Sequence, residues 1–474
     1  MTREHWSGRF GFVLAAAGSA IGLGNLWKFP YITWNNHGGA FVLVYLLCIC
    51  VVGLPLMCAE ILIGRRAEAS VSTAFGKLGH GHWGIIGFLG VLSGFVILGF
   101  YSVIAGWSLS SFGECLSWSV SGYEKPPAEA FDAFLASPGK QIGLAAAFSS
   151  MTALIVWRGI SGGIERASKI LMPALLLILI YILISVSQLS GFGQSLEFLF
   201  RPNFSELGDH AVLEALGHAF FTLSLGMGAM ITYGSYIQKK ERIVPISITV
   251  VVLDTVIALM ACMIMYSIIF SVEGMSEQVG RSTVGMLFVT LPQLFYTEMA
   301  GAGGAIVGPL FYVLVAFAAL SSTISLLEVI VSLFVDRYGW KRSKATIASA
   351  SAVFGLSILS ALSLGANGFL SSVKVFGDSE EGLRHTLNVT LTADKGGVLS
   401  ILDHVSANWL LPIGGLLIAL YVGWALPSRD SDEELFPDRT GGLVFKVWLY
   451  FVRFVVPIAI GWIIVAVIRG GDFS

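Results

Sequence analysis

Apolar residues run along this chain in long blocks, separated by short polar and charged connections. A helix needs about twenty residues to cross the hydrocarbon core of a bilayer. By that measure the sequence predicts about eleven spans, near 10–34, 39–64, 84–118, 142–157, 164–190, 211–236, 243–271, 305–335, 345–364, 400–426 and 444–468. The fourth is short, and its boundary with the fifth is drawn at the charged cluster Arg158–Gly163. Between the seventh and eighth spans, Gly285–Phe295 reads as a short amphipathic piece that folds back over an external vestibule. Phe376–Ser400 is polar and reads as an exposed loop or small hairpin.

Two blocks are interrupted at their centres. The first carries Gly18-Ser19-Ala20-Ile21-Gly22-Leu23-Gly24-Asn25. Glycine costs about 1 kcal/mol relative to alanine inside a helix, so three in seven residues make a weak point. Backbone groups freed at membrane depth must face protein, an ion or a water-filled cavity. The sixth span repeats the pattern in Phe221-Thr222-Leu223-Ser224-Leu225-Gly226-Met227-Gly228. One such cluster alone reads as close helix packing through small residues. Two, five spans apart, read as the broken helices of a transporter built from inverted repeats, with its site at the repeat interface.

Composition supports a membrane setting. The chain of 474 residues is 55% hydrophobic and 12% charged, about half the charge of a soluble domain. No basic stripe suggests nucleic acid. The net charge of −2 names no partner, and nothing in the sequence sets an oligomeric state. Cys48, Cys50, Cys58, Cys115 and Cys262 lack metal or disulfide spacing and read as small core residues. The N-terminus has no small-residue cleavage site, so the first span is expected to be retained. Lysine and arginine gather on one side, with Arg65, Arg66, Lys239, Lys240 and Lys341 among them. That bias predicts a cytoplasmic N-terminus and, after an odd number of spans, a C-terminus outside.

Polar residues inside the spans carry the candidate chemistry. Asp254 lies deep in the seventh, where a charge costs about 2.5–3.5 kcal/mol on insertion scales and demands a partner. A bound cation is the favoured one, since Lys28 alone among basic residues approaches that depth. Ser321-Ser322-Thr323 puts hydroxyls in a small-residue stretch of the eighth span. Glu60 is placed to cap N–H groups freed by a broken helix. Tyr101 alone reads as core or interfacial. His80, His82 and His218 lack a metal-ligand pattern, and no acid–base or nucleophile set suggests an enzyme.

The motifs Trp6–Phe12 and Gly18–Pro30 resemble the signature of the neurotransmitter:sodium symporter family. So do Gly38–Phe41, Gly53–Met57, Arg158–Ser161 with Gly163–Arg166, and Phe220–Gly228. The resemblance extends over nearly the whole chain, and eleven spans rather than twelve resemble a short bacterial branch. It implies an all-α membrane protein with the LeuT-type 5+5 inverted repeat, in which helices 1 and 6 are broken. Residues 1–474 would form a single transporter domain, with repeats at 10–190 and 211–426 and an added helix at 444–468.

The resemblance further implies two sodium ions. One would take the Ala20 carbonyl, Asn25, Thr222 and Asp254, completed by the substrate carboxylate. The other would take the carbonyls of Gly18, Ile21 and Ala318 with the hydroxyls of Ser321 and Ser322. The carboxylate would meet the N–H groups of Leu23 and Gly24 and the Tyr101 hydroxyl, with Ser224 near the amine. Ser19, Ile97, Phe221, Met227, Ser325 and Leu326 would form the side-chain pocket. Gly22 stands where amine-transporting relatives carry an aspartate, so the substrate is expected to be an amino acid. An apolar pocket favours a hydrophobic L-amino acid, branched or aromatic. Asp254 stands where many members have asparagine, which predicts chloride-independent symport by alternating access.

Implied gates are Lys28 with Asp403 outside and Arg3 with Asp336 inside, Trp6 and Tyr236 packing beside the latter. Gly163 and Pro173 match a motif associated with local unwinding. The expected location is the bacterial inner (plasma) membrane. A sensor or channel sharing the fold, or a symporter of a different small amino acid, stays open as an alternative.

Overall fold

A computed structural model describes residues 4–123, 126–208, 210–272, 285–297, 299, 302–364, 366–373, 397–437 and 441–469. Arg3 and most of the 376–400 segment lie outside the described residues. Among those described, every regular element is helical. In chain order the principal ones are α1 (Arg9–Ala20), α2 (Gly24–Asn35), α3 (Gly39–Ala67), α4 (Gly81–Ser121), α5 (Pro138–Trp157) and α6 (Ile160–Val186). There follow α7 (Ala211–Thr222), α8 (Ala229–Gly234), α9 (Ile243–Ile269), α10 (Gly303–Tyr338), α11 (Arg342–Leu362), α12 (Val398–Ala425) and α13 (Gly442–Ile468).

Nine of these helices are long and apolar enough to cross a membrane, or ten when the bent pair α1 and α2 is taken as one span. The sixth expected span, 211–236, is broken, as its glycine cluster predicts. It is α7 and α8 with an unwound turn between them. The boundary at 158–163 is also narrower than expected. α6 starts at Ile160 as a π-turn, and the backbone stays wound through Gly163 and Pro173. The piece near 285–295 is a short apolar helix, Met286–Thr297.

α4 and α10 are the most enclosed long helices and pack along each other. α5, α6, α11 and α13 keep apolar faces turned outward, with Leu177, Ile184 and Ile458 exposed. That is how helices at the lipid boundary are built, since lipid needs no polar rim there. Cys48, Cys58, Cys115 and Cys262 are buried as expected, whereas Cys50 lies on the outer surface.

Both interruptions become breaks. α1 and α2 meet at 52°, and Ile21 between them is extended, with φ −74° and ψ 101°. In the sixth span the chain turns through left-handed backbone at Ser224 (φ +53°), Gly226 (+80°) and Gly228 (+73°). A non-glycine residue with positive φ is uncommon. Ser224 is held by its neighbours, its hydroxyl donating to the Ser19 carbonyl at 2.8 Å. The Gly226 N–H donates to Glu60 Oε1 at 2.7 Å, so this carboxylate does bind a freed N–H.

Candidate functional site

The two breaks face each other in the middle of the bundle, and α9 and α10 supply side chains between them. Asp254 of α9 is fully buried. Its Oδ1 accepts from Asn25 Nδ2 at 2.8 Å and from Thr222 Oγ1 at 3.0 Å; its Oδ2 lies 3.2 Å from the same hydroxyl. Asn25 Oδ1 accepts from the Gly22 N–H at 3.0 Å, tying the side chain across its own break. A carboxylate and a hydroxyl thus converge from two elements, with the Asn25 amide nitrogen on the carboxylate and its oxygen on the Gly22 N–H. The carboxylate and hydroxyl oxygens suit a small hard cation better than a soft metal.

A second convergence lies where α10 crosses the first break. Ser321 Oγ donates to the Ala318 carbonyl at 2.9 Å and reaches the Ile21 carbonyl at 3.4 Å. Ser322 Oγ lies 3.4 Å from the Ala318 carbonyl and 3.4 Å from the Ser19 carbonyl. The Gly18 backbone presses on the same turn, for a Cβ there would stand 3.1 Å from Ser321 Cβ. Serine hydroxyls in helices ordinarily bond back to the preceding turn. These two do so while also facing carbonyls of another segment.

Between the two groups is a cavity of about 30 Å³. Its walls are Ser19, Ala20, Gly22, Gly24, Ile97, Tyr101, Phe221, Thr222, Ser224, Met227, Ser322, Ser325 and Leu326. Every residue expected at the substrate is therefore in its wall except Leu23. The Leu23 N–H, expected on a carboxylate, donates to the Tyr101 hydroxyl at 3.0 Å. The Ser19 hydroxyl donates to Ser325 at 2.7 Å, closing one end. Gly22 sits tightly: a Cβ there would meet Ser322 Oγ at 2.7 Å and the Tyr101 oxygen at 2.9 Å. Local helix failure made this residue visible in the sequence, but the structure gives it a steric role as well.

On the side bearing the N-terminus, residues 4–7 cover the bundle. The Trp6 ring is buried and donates to the Tyr233 carbonyl at 3.0 Å, and its N–H to the Tyr236 carbonyl at 3.1 Å. Trp6 and Tyr236 pack edge to face. Asp336 accepts from the Ser70 N–H at 2.9 Å, and its expected partner Arg3 lies outside the described residues. On the opposite side, Lys28 Nζ stands 5.2 Å from the centroid of the Phe221 ring in the cavity wall. Asp403 lies in α12, its carbonyl accepting from Ser406 Oγ at 2.9 Å.

Two polar groups were missed in the sequence. Glu328 of α10 is buried and bound through both oxygens by the Arg342 guanidinium, and it accepts from the Tyr236 hydroxyl at 2.8 Å. Glu165 of α6 accepts the Ser7 hydroxyl and its N–H, the latter at 2.9 Å, and pairs with Lys169 at 2.6 Å. An acid inside the apolar run Leu326–Ile330 was the available signal for the first. Among the described residues no three or more His, Cys, Asp or Glu side chains cluster so as to hold a metal ion.

The model of the sodium:neurotransmitter symporter family matches residues 3–137 and 133–392. An uncharacterized sodium-dependent transporter of Bacillus subtilis, YhdH, is 35% identical, covering 96% of this chain and 95% of its own length. A sodium-dependent transporter of Haemophilus influenzae is 32% identical over 97% of this chain and 96% of its own. Among solved structures, MhsT in complex with L-phenylalanine is 38% identical with a TM-score of 0.84, over 98% of this chain and 100% of that one.

Proposed function

Because this chain belongs to the sodium:neurotransmitter symporter family, we propose that it couples sodium to the import of a hydrophobic L-amino acid. With membership come the LeuT-type fold, multi-pass membrane insertion and sodium-dependent transport rather than enzymatic chemistry. The observation that carries the finer reading is the cavity wall, where apolar Ile97, Phe221, Met227 and Leu326 oppose the backbone and hydroxyls of the first break. One end suits a carboxylate and amine, the other an apolar side chain. That the similar MhsT was crystallised with L-phenylalanine supports the same class.

We assign one sodium ion to Ala20, Asn25, Thr222 and Asp254, and a second to Gly18, Ile21, Ala318, Ser321 and Ser322. The substrate carboxylate completes the first. Sodium and substrate therefore raise each other's affinity by one common factor, as linkage requires. Asp254 supplies the negative charge beside the first ion, which makes a bound chloride unnecessary. Lys28 with Asp403, and Asp336 with Arg3, are the proposed gates. The first, second, sixth and seventh spans, two from the first repeat (10–190) and two from its inverted partner (211–426), rock against a scaffold of the third, fourth, eighth and ninth about the fixed site. The N-terminus faces the cytoplasm and the C-terminus the outside of a bacterial plasma membrane.

Counterflow in proteoliposomes tests the proposal. Sodium-dependent, saturable exchange of labelled amino acid is expected, with leucine, phenylalanine and tryptophan among the stronger competitors. Binding without exchange would mean a sensor. Exchange blocked only by small or charged amino acids would remove the hydrophobic assignment.

A further inference from the structure

A second cavity, far larger than the first, opens at the flank of the bundle between α4, α10 and α11. Its volume is about 360 Å³, within the range of about 300–1,000 Å³ typical of clefts that hold small organic molecules. The walls are apolar, with Phe88, Val91 and Phe95 on α4 and Leu333 and Phe334 on α10. Phe88 is 62% exposed, so the cleft is open to whatever surrounds the bundle.

Four polar residues interrupt this lining: Ser72, Arg337, Tyr338 and Ser349. Arg337, at the end of α10, is exposed at the mouth. Ser349 of α11 is 2% exposed, and its hydroxyl has no hydrogen-bond partner. Serine inside a helix normally donates to the carbonyl four residues back, as Ser357 and Ser360 of the same helix do. The Ser349 hydroxyl is left over for something in the cleft. It lies seven residues beyond Arg342, the first residue of α11, about two helical turns inside the bundle edge.

The charges around the mouth are mostly engaged. Arg342 is bound to Glu328, and Asp336 accepts from the Ser70 N–H. Lys344 lies over the Trp340 ring at 4.2 Å, and Trp340 stacks on the lining residue Phe334 at 4.8 Å. Arg337, 6.0 Å from the Tyr338 ring, and Lys344 are both exposed at the rim. Basic clefts between membrane helices on the cytoplasmic side favour anionic headgroups. This is the cytoplasmic end in the proposed orientation.

We propose that the cleft holds one acyl chain of an anionic phospholipid. The phosphate rests on Arg337, and an ester or glycerol oxygen accepts from Ser349. Charge at the rim, one donor inside it and apolar walls beyond match the phosphate, ester and acyl chain of a phospholipid in that order. The site does not touch the proposed transport cavity and holds whichever amino acid is carried.

The test is native mass spectrometry of the full-length protein extracted from bilayers of phosphatidylglycerol and phosphatidylcholine. One phosphatidylglycerol retained in preference to phosphatidylcholine is expected. Arg337→Gln should cut that retention by about fivefold, the weight of one basic residue at an anionic surface. Ala348→Phe should fill the cleft and abolish it. Equal retention of the two lipids, retention unchanged in both variants, or a retained second copy of the chain would overturn the proposal. Should Ala348→Phe not fold, photo-crosslinking of wild type with a tail-labelled phosphatidylglycerol decides. Adducts on Phe88, Phe95 or Leu333 support the site, and adducts confined to other helices refute it.

Discussion

At the residue scale, the site depends on contacts with no room to spare. A Cβ on Gly22 would press on both Ser322 and Tyr101, and overpacking of this kind costs about 1–3 kcal/mol. Gly22→Ala should weaken amino-acid affinity about tenfold or more in a scintillation proximity assay; unchanged affinity would show that neither hydroxyl matters. Tyr101→Phe strands the Leu23 N–H, and an unsatisfied buried donor costs about 1–3 kcal/mol. Its substrate affinity should fall about ten- to hundredfold with sodium affinity in the absence of substrate little altered. Equal losses in both would redefine Tyr101 as structural. Gly22 was legible in the sequence because a glycine at membrane depth violates helix propensity locally. Glu328 was not, since its meaning lies in Arg342 and Tyr236, which reach it from other elements. Nor could residue order alone show that Leu23 turns its N–H to Tyr101.

At the element scale, apolar block length located the helices to within a few residues, because a bilayer selects length before anything else. The same criterion failed at 211–236. Hydropathy does not register a backbone that passes through left-handed conformations at Ser224, Gly226 and Gly228. The glycine clustering did mark both breaks. It left open what keeps them open, which is tertiary: Glu60 holds the Gly226 N–H, and α12 lies against the same turn. A Cβ on Gly226 would stand 2.2 Å from the Leu411 carbonyl oxygen. Backbone cannot yield there, and L-residues also resist φ +80°. Gly226→Ala should therefore destabilise by about 3 kcal/mol or more. Thermal unfolding followed by size-exclusion chromatography would reveal it. A melting temperature within a degree or two of wild type would contradict this account of the turn.

At the scale of the whole molecule, residues 4–7 form a latch over the side that bears the N-terminus. Glu165 fastens Ser7, Glu4 accepts from the Ile160 N–H, and Trp6 is anchored on α8 and the turn after it. Glu165→Gln weakens charged hydrogen bonds worth about 1.5–3 kcal/mol. Amide exchange of the 5–8 segment should quicken about ten- to hundredfold by mass spectrometry, with α4 unchanged as the internal reference. Exchange at the wild-type rate would place the hold elsewhere. The anion requirement also belongs to the whole transport cycle. Replacing chloride by gluconate should leave sodium-driven uptake within about twofold if Asp254 carries the balancing charge beside sodium; a large loss would sink that assignment. The contact of the sixth-span turn with α12 has a further consequence, one for genetics. A Cβ on Gly414 would strike the Gly226 carbonyl at 2.2 Å, just as one on Gly226 strikes α12 backbone. Both clashes are with backbone, at the Leu411 and Gly226 carbonyls, so no change of side chain can make room for growth of either glycine. Revertants of a damaged Gly226 allele should restore glycine itself, and a search for compensating changes at Gly414 should return none.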